Sequence, residues 1–375
     1  MASGNLDVGD ALGDSPFTNA AAAGYPIVGI AAGYDDTENA MNILVDKAKE
    51  GRPEDIRPCL RCDYCLDHGR RKALFKGKEL SLVEEPTNDG ACAVNPLPHQ
   101  GIGKLVIPKP DRVKKVAVVG GGVAGLNAAI TAAQRGHQVT LYERSSKLGG
   151  QITITDEVSF KTELKEYHEY LERQARKLPN LTILLNTKAT PELIRESEVD
   201  AAIIAVGAKQ RLSNIPGAEK GSQSFDAFHD PDRFGKKVVI IGGGHVGAEL
   251  GLYLAENGHE VTVVEQREFF LPTCELSLRV SLLQELENRH VEVLSSTEAI
   301  EVLDDGVKVV NDEKGEDVIP ADSVIFAIGT EPLSKLRDSF AGVALDVINV
   351  GDALGDGILD VPHAVETGFN AGYIL

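Results

Sequence analysis

One stretch of this chain is written twice. Lys115-Val-Ala-Val-Val-Gly-Gly-Gly-Val-Ala-Gly125 returns as Lys237-Val-Val-Ile-Ile-Gly-Gly-Gly-His-Val-Gly247, an offset of 122 residues. The same offset relates Gly136-His-Gln-Val-Thr-Leu-Tyr-Glu143 to Gly258-His-Glu-Val-Thr-Val-Val-Glu265. The repeat therefore covers a whole strand, turn, helix and strand, one supersecondary design used twice. Val116 to Val119 reads as a strand buried on both faces, and the alanine-rich stretch Leu126 to Arg135 as the helix that crosses back over the sheet. Parallel strands need such a crossover.

Further apolar runs, Leu181 to Leu185 and Ala201 to Val206, extend the first sheet; Val291 to Leu294 and Ser323 to Ile328 extend the second. The expected fold class is α/β, with two Rossmann-like nucleotide-binding domains. Ile300 to Leu303 and Val307 to Val310 flank Asp304-Asp-Gly306 and read as a hairpin. Val347 to Leu375 returns after the second unit is complete, which predicts that the second domain is inserted in the first. At 375 residues the chain exceeds what one hydrophobic core supports.

Each repeat carries Gly-x-Gly-x-x-Gly: Gly120, Gly122 and Gly125, then Gly242, Gly244 and Gly247. The first glycine permits the tight turn, the second lets backbone approach a pyrophosphate, and the third lets helix and strand pack closely. The phosphates meet the helix N-terminus, where free N–H groups favour anions. Glu143 and Glu265 end the following strands, where a carboxylate accepts hydrogen bonds from ribose hydroxyls and disfavours a 2′-phosphate. NADH is thus expected over NADPH at the second site, with Arg267 nearby. Strand, glycines, helix, strand and acid in order, twice, are far more specific than a lone glycine motif. The first site is expected to hold FAD. Gly149, Gly150 and Gln151 follow Glu143 and offer backbone amides to a long cofactor, while Gly351 and Asp352, placed before Val361-Pro362-His363-Ala364, offer a carboxylate to ribityl hydroxyls. Asp352 also reads as an ordinary turn residue. Glu249, two residues past Gly247, reads either as facing the flavin–nicotinamide contact or as a solvated carboxylate.

Four of the five cysteines, Cys59, Cys62, Cys65 and Cys92, fall within 34 residues, a density that argues for metal rather than disulfides in a large acidic chain. Three thiolates at successive gaps of two, with a remote fourth followed by Pro96, suit a [4Fe-4S] cluster. A structural zinc site is the alternative and more often presents two separated pairs. Cys274 stands apart and reads as a core residue. With 38 Lys and Arg against 57 Asp and Glu, the formal charge is −19, which opposes binding to nucleic acid or an anionic membrane. No run is long enough to span a bilayer and no signal segment is evident, so a cytoplasmic protein is expected. Arg70, Arg71, Lys72, Lys76 and Lys78 form a basic run between the third and fourth cysteines, read as a solvated loop or, less favoured, a docking surface.

Taken together, Gly51-Arg-Pro-Glu-Asp-Ile-Arg-Pro-Cys59, the three-cysteine run, Cys92-x-x-Asn95-Pro96 and the paired fingerprints resemble the C-terminal part of the 2,4-dienoyl-CoA reductase and trimethylamine dehydrogenase family, over roughly residues 25 to 375. The resemblance implies an old-yellow-enzyme TIM barrel carrying FMN and substrate, a cluster beside the FMN, and glutathione-reductase-like domains for FAD and NAD(P)H. It assigns Cys59, Cys62, Cys65 and Cys92 to the cluster; the first glycine set, Glu143 and Asp352 to FAD; and the second set with Glu265 to the nicotinamide nucleotide.

A barrel needs about 250 residues, and 58 precede the cluster here, enough for one βα unit: a strand from Pro26 to Ile30 and a helix from Thr37 to Lys49. Ala32-Gly33-Tyr34 stands where the family tends to place a glycine-arginine pair for FMN phosphate. The expected division is residual barrel 1–58, iron-sulfur segment 59–107, FAD domain 108–230 and 338–375, and NAD(H) domain 231–337. The expected function is an electron-transfer module passing electrons from NADH to FAD and through the cluster to FMN on a partner subunit, an oligomer mate or a missing barrel. No residue of the chain itself is assigned as catalytic. Part of a complete enoate or dienoyl reductase, and a non-catalytic nucleotide-binding or assembly module, are the other readings. Val8-Gly-Asp-Ala-Leu-Gly-Asp14 is identical to Val350-Gly-Asp-Ala-Leu-Gly-Asp356; a duplicated fragment or an assembly artefact of the gene is the leading explanation, a second flavin-contacting loop a remote one.

Overall fold

The computed structural model describes residues 51–62, 64, 72–76, 79–83, 92–97 and 107–375 except 273, 275 and 312. The strand and helix predicted for the barrel remnant, the Val8 to Asp14 copy, Cys65, Arg70, Arg71 and Lys78 lie outside them. Between the cysteines, β1 (Lys72–Lys76) and β2 (Glu79–Val83) form an antiparallel hairpin.

The first fingerprint follows β3 (Lys115–Val119) and opens α1 (Val123–Arg135). Next come β4 (Gln138–Tyr142), α2 (Thr162–Arg176), β5 (Leu181–Leu184), α3 (Pro191–Glu196), β6 (Ala201–Ile204) and β7 (Ala208–Gln210). The second unit holds β8 (Ser222–Gln223), α4 (Ser224–His229), β9 (Lys237–Ile241), α5 (His245–Glu256), β10 (Glu260–Val264), α6 (Leu276–Asn288) and β11 (Glu292–Leu294). It continues through β12 (Thr297–Val302), β13 (Gly306–Asn311), β14 (Gly315–Pro320) and β15 (Ser323–Phe326). The chain returns through β16 (Thr330–Pro332), α7 (Ser334–Ser339), β17 (Asp346–Asn349) and α8 (Val361–Ile374).

Both large sheets are wholly parallel, ordered β17-β6-β3-β4-β5 and β8-β15-β9-β10-β11. The repeat is thus an entire domain topology. It reaches residues outside the glycine motif: Asp200 accepts the Lys115 N–H at 2.8 Å, and Asp322 accepts that of Lys237 at 2.7 Å. After the second sheet is complete, β17 pairs with β6 in the first, so the second unit is inserted in the first. An antiparallel ribbon of β7 and β16 carries both crossings. The expected hairpin is β12–β13, and β14 adds a third strand.

Helix α1 is buried from Val123 to Ala133 because it lies between the sheet and α8, and its alanines let both neighbours approach. Gly368 fixes that crossing: a Cβ there would sit 2.2 Å from the Ala124 carbonyl oxygen. Burial at Tyr167, Tyr170, Leu171 and Ala175 gives α2 one apolar stripe, which packs into the same core. The β12–β14 sheet covers one face of the second parallel sheet through Val302, Val307 and Val309 against Val239, Val264 and Phe326. Cys274 is half-buried against the other face's core. Among the described residues, no helix is long and apolar enough to cross a membrane.

Candidate functional site

A cavity of about 760 Å³ opens at the C-terminal ends of β3 and β6, where ligands of open α/β sheets bind. Gly120 makes the turn into it at φ +106°, and a Cβ there would lie 2.3 Å from the Ala205 carbonyl oxygen. At Gly125 a Cβ would come within 1.9 Å of the Gly120 carbonyl oxygen, so only glycine permits this approach of helix to strand. Gly122 begins α1 without a side-chain cap, leaving the first-turn N–H groups beside Val123 and Ala124 open to the cavity.

Glu143 is 8% exposed at the cavity edge. Its Oε2 accepts the Gly121 N–H at 2.7 Å, and its Oε1 accepts both the backbone N–H and the hydroxyl of Ser145 at 2.8 Å. Ser145, unremarked in the sequence, thus orients the carboxylate. Gly149 and Gly150 both have positive φ and line the cavity, but the Gly149 N–H is already donated to the Gly121 carbonyl at 2.9 Å. Only part of the expected amide supply is therefore free. Gln151 also lines the cavity and donates to the Ala208 carbonyl at 3.1 Å.

Gly351 and Asp352 form a 3-10 turn on the opposite wall. Arg337 steadies that turn by donating to the carbonyls of Ala353 and Leu354 at 2.9 and 2.7 Å. Burial, followed by the nearby Asp360, pushes the Asp352 carboxyl up to about 6. Asp360 caps α8 by accepting the His363 N–H at 2.8 Å, with Pro362 in the first turn as expected. Lys188, which no motif singled out, adds a cation to the wall.

The second fingerprint reproduces this geometry. Gly242 has φ +116°, and a Cβ on Gly247 would lie 1.9 Å from the Gly242 carbonyl oxygen. A Cβ on Gly244 would meet nothing within 4 Å, so the space above the helix start is open. Glu265 is 8% exposed; Oε2 accepts the Gly243 N–H at 2.7 Å and Oε1 the Arg267 N–H at 2.9 Å. Arg267 therefore serves Glu265 through its backbone.

Glu249 does not line the first cavity. It is half-buried in an ion pair with Lys161, beside a smaller cavity of about 310 Å³ that also touches Arg61 and Cys62. His245, at the start of α5, is held below its ordinary pKa by burial. Sequence reasoning missed Lys161, because its partner is distant in the chain.

Cys59, Cys62 and Cys92 are half-buried free thiols. Burial raises the Cys62 thiol above its ordinary range, and Cys92 and Cys59 are close enough to raise it further. Arg61, at φ +52°, turns its N–H to the Cys59 sulfur at 3.4 Å. Asp55 anchors this segment to α2: Lys177, Gln174 and Arg52 donate to it and hold its carboxyl down to about 2. Among the described residues no group of three or more His, Cys, Asp or Glu side chains is arranged to hold a metal ion, and Cys65 lies outside them. Of the four predicted ligands, Cys59 and Cys92 lie within electrostatic reach of Cys62, and the three form no finished site.

A family model described as pyridine nucleotide-disulphide oxidoreductase matches residues 114–354. NADH oxidase of Thermoanaerobacter brockii is 35% identical over 87% of this chain and 49% of its own length. Cinnamate reductase of Clostridium sporogenes is 34% identical over 83% and 44%. Among solved structures, a 2-naphthoyl-CoA reductase complex aligns with a TM-score of 0.80 at 27% identity, covering 90% of this chain and 49% of that one. The chain spans about half the length of the curated relatives it matches.

Proposed function

Since the chain belongs to the pyridine nucleotide-disulphide oxidoreductase family, and corresponds to the C-terminal part of the old-yellow-enzyme-like reductases, we propose that it is the NADH- and FAD-binding half of a flavoprotein oxidoreductase that delivers electrons through an iron-sulfur site. The observation that carries this reading is the paired geometry at Glu143 and Glu265. In both units a buried carboxylate is clamped at 2.7 Å to the N–H of the residue before the second glycine, beside an uncapped helix start. Each carboxylate oxygen keeps acceptor capacity for a ribose hydroxyl.

The 760 Å³ cavity suits a long cofactor. Gly122 and α1 would hold the pyrophosphate, Glu143 the adenosine ribose, Asp352 the ribityl chain, and Gln151 with the start of α8 the ring system. Gly244, Gly247 and Glu265 would hold NADH. A bound FAD would supply the chemistry that couples the two-electron transfer of a hydride from NADH to one-electron carriers. The residues of this chain bind, orient and exclude water. Cys59, Cys62 and Cys92, joined by Cys65, would hold a [4Fe-4S] cluster; the N–H of Arg61 at the Cys59 sulfur suits a thiolate ligand. The electrons would then pass to FMN in a barrel on a partner chain or in another part of a longer protein, where an enoate-type substrate would be reduced.

The test is reduction of an artificial one-electron acceptor by NADH, catalysed by the FAD-loaded chain with no organic substrate present. Turnover is expected. A fully flavinated protein that reduces no acceptor overturns the reading.

A further inference from the structure

Arg57 takes no part in either dinucleotide site, yet its surroundings are unusual for a guanidinium. The segment is fastened to α2 by Asp55, whose carboxylate is already claimed by Lys177, Gln174 and Arg52. Arg57 itself, among the described residues, holds neutral acceptors: the Val94 carbonyl at 2.6 Å and the Asn95 side-chain oxygen at 3.3 Å, both from Nη1, and the hydroxyl of Tyr170. Its guanidinium carbon lies 5.8 Å from the ring centroid of Tyr170, which is buried on α2. The other groups within electrostatic reach are the phenol of Tyr167 and the thiol of Cys92. Arg57 is half-buried, and a cation withdrawn from water in this way is costly unless a negative charge answers it. The three-cysteine segment begins two residues after Arg57, and the fourth cysteine lies two residues before Val94.

We propose that Arg57 is the positioning residue of the cysteine site, fastening the Cys92 segment to the Cys59–Cys62 segment and placing a fixed positive charge behind the thiolates that raises the site's reduction potential. The inference rests on the iron-sulfur reading and deepens it. A cluster with four thiolates is a net anion that gains one electron on reduction, so its reduced form carries one more negative charge and is favoured more by a fixed cation. Groups outside the ligand set commonly tune metal sites in this way. The planar fork matters as well as the charge, since one nitrogen already bridges two acceptors on the Cys92 segment.

The experiment compares the full chain with Arg57→Met and Arg57→Lys, measuring iron, acid-labile sulfide and FAD per chain, the melting temperature, and the cluster midpoint by redox titration followed by electron paramagnetic resonance. Arg57→Met is expected to keep its FAD and melting temperature and to hold less iron. In its loaded fraction the reduced-to-oxidised ratio should fall about tenfold at a given potential, or about 59 mV for a one-electron couple. Arg57→Lys should restore the midpoint more fully than the iron content. Wild-type iron and midpoint in Arg57→Met overturn the proposal, as does loss of FAD and iron together, which would make Arg57 a general packing residue. If Arg57→Met holds no iron while keeping FAD, the fastening stands, and an Arg57→Lys protein with full iron but a midpoint about 59 mV below wild type, despite its retained charge, overturns the electrostatic half. Wild-type protein without iron or sulfide, after anaerobic reconstitution, refutes the iron-sulfur reading instead.

Discussion

Glu143 and Glu265 are buried carboxylates whose charge is answered by backbone N–H groups rather than cations. Their position at the strand ends was readable from the repeat. Their internal bonds were not, because these depend on the glycine turn folding back on the strand. In Glu265→Gln one oxygen must replace two, so Gly243 and Arg267 cannot both keep their acceptor. NADH affinity should fall about tenfold, the range of one charge-assisted hydrogen bond, with FAD content unchanged. Steady-state kinetics and a flavin assay check this; loss of FAD with unaltered NADH affinity would reverse the assignment of the two sites. Asp352 offers a pH test. Burial, then Asp360, raises its folded pKa from 3.8 to about 6, so its contribution to stability is full below about pH 3.8 and lost as pH rises through 6. In FAD-free protein, Asp352→Asn should therefore gain on wild type between pH 4.5 and 7.5, by about 1–2 kcal/mol after allowing for partial solvent screening. Urea denaturation at the two pH values reads the difference, and equal offsets at both would contradict it. The Gly351-Asp352 signal was visible in the sequence; the crowding by Asp360 needed the turn that brings it near.

Strand, glycine turn and helix form one mechanical part in each half, and its glycines do different work. Gly247 lets α5 rest on the turn, whereas Gly244 leaves space for a ligand. Gly247→Ala should cost more than about 3 kcal/mol, because the Cβ would collide with a backbone oxygen that cannot step aside. Gly244→Ala should melt within about 1 °C of wild type and bind NADH at least about tenfold more weakly. Differential scanning fluorimetry and NADH titration separate the two; equal melting losses would remove the distinction. The long parallel strands and α1 were legible because apolar runs and alanine content reported burial on both faces. β14 escaped notice because Gly-Glu-Asp-Val-Ile-Pro is almost wholly exposed and carries no apolar alternation. The β7–β16 ribbon and β8 escaped because ladders of two or three residues have no period to read.

Over the molecule, the two parallel sheets repeat one strand order, and the chain enters and leaves the inserted unit through a single ribbon. The insertion was legible from the late return at Val347. The tethering of the cysteine segment to α2 was not, since Asp55–Lys177 and Arg57–Tyr170 join residues more than a hundred positions apart with no motif between them. That tether sets the cysteines against the domain predicted to hold FAD, the order a relay from hydride donor to one-electron carrier requires. The most direct measurement is an anaerobic titration of the FAD- and iron-loaded chain with NADH. The flavin's visible absorbance should bleach, and the protein should take up more electrons than its flavin alone can hold, the excess appearing as a paramagnetic iron-sulfur signal. A flavin spectrum left unchanged by excess NADH in fully loaded protein would contradict the account.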